Sequence, residues 1–529
     1  MPTLTSCKQC RDRHVRCDQQ QPCGICRRRN IRCSHGDDIL FTALQWKPDK
    51  EMPYEQRPSP VRIVDSDSRL GTVGFVDETF QVSQLYHVLP SDATHDNPGV
   101  SKTNNKVHVF SPSSHTGVAT PITNEKDAFY LARYTDIIGP RFDMFDSTSR
   151  YFSLALPRIA LNNRLVLLSC LACAARQYSL VTDRGHHDAL VYYNEALKTL
   201  YERLNDSGHE AATFASCLLI AHCEMVESKA SDWNLHLKGT GELVMMHHWN
   251  GRSGGLAQTS FWIYYRMIIL ASLASGMSAP VNLGQLLPLG YFPSPPTGEW
   301  TLDAWQSKVV HLLGSTHRFW ARTRNHHHHH HHQDDADTTL NKLTAEWTSL
   351  GDQLLRHQDQ APAMCHALSV IPAANDNDDY SPFETVRYVN GPVSAAWQML
   401  HTAYLVHTLS QPTPRAARLT LLSSPEVANK ALSYARMIVA NSIANRCTIA
   451  WANAVQLLTM AGQCLVEVKE RQACLRALED IQLHTGWNTR VNMETLSAIW
   501  RRATIDGGGV SDLGRLLYIT WMGDEAVVS

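Results

Sequence analysis

The sequence lacks the signatures that mark most enzymes of its length. It has no Gly-rich phosphate loop, no nucleophile elbow and no zinc-protease helix. Paired acidic motifs that hold metals on helices are also missing. Asp334-Asp335-Ala336-Asp337 has the wrong spacing, and Asn205-Asp206 sits at a helix end without further polar partners. Catalysis is therefore not expected. Long apolar runs are scarce too. The best membrane candidate, 261–277, is too short and contains Arg266, so no membrane span is expected. No apolar leader precedes Cys7, which argues against a secreted disulfide knot and for a reducing compartment. A heptad zipper is absent as well, because Pro48, Pro53, Pro58 and Pro60 interrupt the stretch where one could begin.

Net charge is nearly absent overall, but it is unevenly placed. The 529 residues carry a formal charge of −2. Residues 1–33 hold Lys8, Arg11, Arg13, Arg16, Arg27, Arg28, Arg29 and Arg32 against Asp12 and Asp18, a balance of +6, which leaves −8 for the rest. A small basic head on a mildly acidic body suits a protein that meets nucleic acid with its head alone.

The same head is dense in cysteine. Cys7, Cys10, Cys17, Cys23, Cys26 and Cys33 are spaced C-x2-C-x6-C-x5-C-x2-C-x6-C, one half-unit written twice. A C-x2-C turn aims two thiolates at one metal, and tetrahedral zinc takes four ligands. One zinc leaves two cysteines over, whereas two zincs need eight ligand positions. Six thiolates fill these if two of them bridge, so the count suggests a binuclear cluster. Six thiolates and two Zn²⁺ leave two negative charges, which the surrounding Lys and Arg balance. A zinc module that binds only protein is the competing reading, but a basic module is first of all a phosphate binder.

This stretch resembles the zinc binuclear cluster, Zn2Cys6, of fungal transcription factors. The likeness rests on the six cysteines, the basic run between Cys10 and Cys17, and Pro22 before Cys23. It implies that Cys7 and Cys23 bridge the two metals. It also implies a short helix over 10–16 in the major groove of double-stranded DNA, with Arg13 and His14 at base-reading positions. Arg16 would face the groove with them, while Lys8, Arg11, Arg27, Arg28 and Arg29 would hold phosphates. The chain departs from the family where His14 and Arg16 replace lysines. Arg13 can still bind guanine O6 and N7, whereas His14 is a shorter donor, cationic only below roughly pH 6.5. Reading of a CGG triplet therefore does not carry over with the zinc ligands. The resemblance further implies a nuclear location, transcriptional machinery or co-regulators as partners, and control of one pathway, often of specialised metabolism. Dimerisation would need contacts other than a coiled coil.

The cluster domain is expected over 1–40 and a largely disordered tether over 41–122, rich in Pro, Ser, Thr, Asp and Asn. An all-helical regulatory body is expected over 123–529. Ala128, Leu131, Thr135 and Ile138 recur at helical spacing, and Gly139-Pro140 should stop that helix. Asn162 or Asn163 can cap a helix reaching about Tyr178, apolar nearly all round and so central. Ala189, Tyr193, Ala196, Leu197, Leu200 and Leu204 form one clean stripe. Further helices are expected near 212–226, 232–249, 258–275, 302–324 and 338–357, with four or five more amphipathic ones over 393–502 and a closing segment at 516–521. Cys170 and Cys173 lie in an apolar helix and read as core, like the other six cysteines outside the cluster.

The body, over roughly 125–290, resembles the fungus-specific transcription factor domain. Tyr151-Phe152, Tyr192-Tyr193-Asn194 and the run from Asp232 to Gly239 carry that likeness, and Trp233, His236 and Leu237 read as a packing face. Seven histidines, His326 to His332, form a tract within a His-rich loop near 325–337. Such a tract can hold zinc, copper or nickel weakly, but a solvated loop is the plainer reading. The acidic stretch 373–384, with Tyr380 and Phe383, could recruit activation partners, though a solvated loop is again plainer. A helical body can also form a pocket for a small-molecule effector.

Overall fold

A computed structural model describes Asp18 and residues 23–29, 121–205, 210–227, 230–276, 287, 292, 299–325, 333–373, 381–414 and 417–505. Residues 41–120 of the expected tether, the histidine tract and the segment 516–521 lie outside the described residues.

The fold is mostly α-helical, as expected. In the head, α1 is Gly24–Arg28. The body opens with α2, Glu125–Arg133, capped by Asn124, whose side chain accepts the Asp127 amide. It does not end at Gly139-Pro140. The chain passes through a π-helical turn, Tyr134–Ile138, straight into α3, Gly139–Phe142. Pro140 lies in the first turn of α3, where its missing N–H costs no helical bond. Gly139 allows the close approach: a Cβ there would stand 2.7 Å from the Ser153 backbone. The buried stripe also differs from the expected one. Tyr130, Tyr134 and Ile138 face inward at i, i+4 spacing, and Ala128 is exposed.

A second π-helical turn, Tyr151–Ala155, leads into α4, Leu156–Ala160. Asn163 then caps α5, Arg164–Thr182, and accepts the Val166 amide at 3.2 Å. This helix is apolar and long enough to cross a membrane by composition, but most of it is buried in the core. It packs on α6, His186–Asn205, and on α7, Ala211–Met225. The expected stripe of α6 is the buried one: Ala189, Ala196 and Leu200 are sealed, and Tyr193, Leu197 and Leu204 are partly covered. α8, Ala230–Met246, and α9, Gly255–Ser275, pack on each other and on α7.

α10, Leu302–Asn325, joins the two halves of the body by packing on α9 and on α12, Gly391–Leu409. Trp305 of α10 is fully buried, and its indole N–H donates to the His357 carbonyl at 3.0 Å. His357 belongs to α11, Gln333–Asp359. Sequence reading missed a two-stranded antiparallel ladder. β1, Ser369–Ile371, pairs with β2, Thr385–Arg387, with Val370 opposite Val386. The acidic stretch connects these strands, and Phe383 is buried rather than displayed to a partner. β-branched Val370, Ile371, Thr385 and Val386 suit such a ladder, but three-residue strands carry too little period to read.

The rest comprises α13, Arg418–Leu422; α14, Pro425–Ala444; α15, Thr448–Trp451; α16, Ala454–Gly462; α17, Val468–Thr485; and α18, Arg490–Ile505. α14 packs on α12 and α16, and α17 returns to touch α5. One continuous hydrophobic core runs from Tyr130 to Trp500. That continuity makes the described body a single packed unit.

Candidate zinc centre, nucleic-acid interface and regulatory body

In the head, Cys23 is the N-cap of α1 and Cys26 lies one turn on. Both are fully buried. The Cys26 amide donates to Cys23 Sγ at 3.4 Å. Gly24 donates its amide to Asp18 Oδ2 at 2.8 Å. A Cβ on Gly24 would stand 2.7 Å from that oxygen, so glycine is what lets the carboxylate close the turn. Arg27, Arg28 and Arg29 are exposed at the C-terminal end of the same helix. Thiols thus point inward and guanidiniums outward from one turn and a half of backbone.

This donor set fits zinc. Two sulfurs are held one turn apart, shielded from water, and an amide N–H aimed at one of them favours its thiolate. Cys7, Cys10, Cys17 and Cys33 lie outside the described residues, as do Lys8, Arg11, Arg13, His14 and Arg16. Cys23, Cys26, Arg27, Arg28 and Arg29 are the expected site residues that the structure does bring together.

The described part of the body holds no comparable centre. Among the described residues no group of three or more His, Cys, Asp and Glu side chains converges as a metal site. Cys170 and Cys173 are buried on α5, as core residues should be. The sequence did not announce that Cys173 meets Cys223 of α7, with the sulfurs 3.2 Å apart. Burial holds both the Cys170 and Cys173 thiols well above the usual range, which keeps them protonated and inert. His236 and Leu237 are buried, in keeping with a packing face, while the Trp233 side chain lies outside the described residues.

A cavity of about 490 Å³ opens between α9, the first turns of α10 and the turn that follows α3. Trp262, Phe292 and Trp300 form an aromatic wall, and Arg266 lies within it, 5% exposed. Sequence reading saw Arg266 only as an obstacle to membrane crossing. Nothing in the local pattern indicated a cavity, because its walls come from segments far apart in the chain.

Residues 129–522 match the model of the fungal specific transcription factor domain, and residues 5–39 match that of the fungal Zn(2)-Cys(6) binuclear cluster domain. The first match covers most of the chain. This protein belongs to the fungal zinc-cluster transcription factors. Its cluster domain binds two zinc ions, so Zn²⁺ is the cofactor that Cys23 and Cys26 would help to hold. Among curated proteins, the transcription activator AMTR1 of Alternaria alternata is 38% identical over 69 residues, 13% of this chain. The match spans only 9% of that activator's length. No solved structure matches. Its helical body is the family's transcription factor domain, and its cysteine-rich head is the family's binuclear cluster domain.

Proposed function

We propose that this protein is a nuclear, sequence-selective regulator of one pathway, with a DNA-binding head over 1–40, a tether over 41–122 and a regulatory rather than catalytic body over 123–529. The observation that carries the reading is the division of labour on α1. Cys23 and Cys26 are sealed within it while Arg27, Arg28 and Arg29 are presented to solvent.

Zinc, when bound, cross-links the thiolates and supplies folding free energy that so short a segment cannot draw from an apolar core. The chain's own residues do the rest. Arg27, Arg28 and Arg29 neutralise phosphates and release counterions, which sets affinity and its salt dependence. Arg13, His14 and Arg16 read base edges, and Lys8 and Arg11 hold the backbone. The body answers to a small-molecule effector or to co-regulators. Any dimer forms without a coiled coil, since prolines interrupt the chain soon after Cys33.

The test uses the full chain. Bound zinc is counted, then binding sites are selected from random duplex DNA at fixed salt, with and without a chelator. Two zincs and an enriched motif lost on chelation support the reading, and one or two half-sites in that motif report a monomer or a dimer. Two zincs with sequence-blind, salt-sensitive binding would instead favour a protein-interaction module.

A further inference from the structure

The cavity beside α9 contains a cation without a counter-ion. Arg266 is 5% exposed and lines the cavity, yet it has no hydrogen bond and no ion pair among the described residues. Its guanidinium rests over the Phe145 ring, 5.4 Å from the centroid. Burial alone pulls its pKa down to about 10, and no carboxylate offsets that. A buried charge left unpaired is costly, so a site that keeps one is built to receive an anion.

Three carboxylates, Asp146, Asp303 and Glu299, also line the cavity, as does Arg252, and the first two are engaged with the turn after α3. Asp146 accepts the Ser149 and Tyr151 amides, each at 3.1 Å, and the Thr259 hydroxyl at 3.0 Å. Asp303 accepts the Ser147 amide at 3.1 Å and its hydroxyl at 3.0 Å. Their oxygens brace the turn after α3 rather than neutralise Arg266. Their charge also sets the ligand class, because a polyanion such as a phosphate ester or a tricarboxylate would be repelled by them. Trp262, Phe292 and Trp300 form a chain of rings, with centroid separations of 5.6 and 6.4 Å. That wall suits a flat apolar body, and about 490 Å³ accommodates a drug-sized molecule.

We propose that this cavity binds a singly charged aromatic carboxylate, with its acid group on Arg266 and its ring against Trp262, Phe292 and Trp300. The proposal rests on the reading of the body as effector-responsive and gives the effector a place and a chemical class.

The experiment uses the zinc-loaded full chain and two probes, 2-naphthoate and its neutral isostere 2-naphthamide, followed by calorimetry and by tryptophan fluorescence. Naphthoate should bind at least tenfold more tightly than the amide, and Arg266→Met should erase that difference. If Arg266→Met does not fold, Ala304→Phe serves in its place: it fills the cavity, leaves Arg266 intact and should abolish binding of both probes. Equal binding of acid and amide, or no binding of naphthoate at millimolar concentration, would overturn the proposal. DNA affinity of the same preparation is measured with and without naphthoate. Naphthoate binding that leaves DNA affinity unchanged keeps the site and removes the regulatory reading, so the two failures are distinguishable.

Discussion

His236 Nε2 lies 2.7 Å from Glu224 Oε2, and Tyr193 donates its hydroxyl to the other oxygen of the same carboxylate. The His and Glu side chains are 6% and 7% exposed. Three helices, α6, α7 and α8, are thereby tied at one carboxylate. Removing it strands a buried imidazole and a phenol. Glu224→Ala should cost about 3–5 kcal/mol of stability, whereas Tyr193→Phe should cost only about 1 kcal/mol. Urea unfolding of the two variants measures both. An alanine variant as stable as the parent would show that the network contributes nothing.

Cys26→Ala and Cys10→Ala should each reduce the zinc content below two ions and abolish selective DNA binding. The body should be spared, since its core is its own. Metal analysis, DNA selection and the helical circular dichroism signal read these three outcomes separately. A Cys10 variant with full zinc content and affinity would refute the ligand set.

His14→Lys should tighten DNA binding by roughly 1 kcal/mol, about fivefold, because a permanent cation replaces a mostly neutral imidazole at pH 7. Titration of the selected duplex at pH 7.5 and fixed salt measures it. Unchanged affinity and sequence preference would mean that His14 does not face the bases.

Acid should unfold the body. Burial pulls His222 and His311 down to about 3, and His357 and His401 down to about 4. Their unfolded value is about 6.5. Between those limits the unfolded chain binds more protons than the folded one, so their contribution is full above pH 6.5 and is lost as pH falls. Each group accounts for on the order of 1 kcal/mol per pH unit in that window. Burial pushes Asp143 up to about 6 and also raises Asp303 and Glu470, which work in the opposite sense, but five imidazoles, His407 among them, are lowered by burial. The urea midpoint should therefore fall from pH 7.5 to pH 5.5. A flat profile would indicate that these rings are hydrated in solution.

The cluster was legible in the order of residues because its chemistry is local. A C-x2-C turn needs only two intervening residues to bring Cys23 and Cys26 together, and six such thiols at a doubled spacing state both metal and count. The stripe of α6 was legible for a related reason: helical periodicity is a short-range property, and Ala189, Ala196 and Leu200 repeat within it. Pro140 misled because its local rule stops a helix only from the interior, and here it begins a turn of its own. Phe383 misled because burial depends on what the rest of the chain brings to it.

The meeting of Cys173 with Cys223, of His236 with Glu224, and of Arg266 with an aromatic wall was decided by tertiary structure alone. Residues 50, 12 or, for Arg266 with Phe292 and Trp300, 26 and 34 positions apart carry no pattern that pairs them; only the packing of whole helices sets those distances. The sequence by itself therefore determined the family, the metal and the helical class of the body. The three-dimensional packing decided which charges are neutralised inside that body and that Arg266, like Arg141, has no carboxylate partner among the described residues.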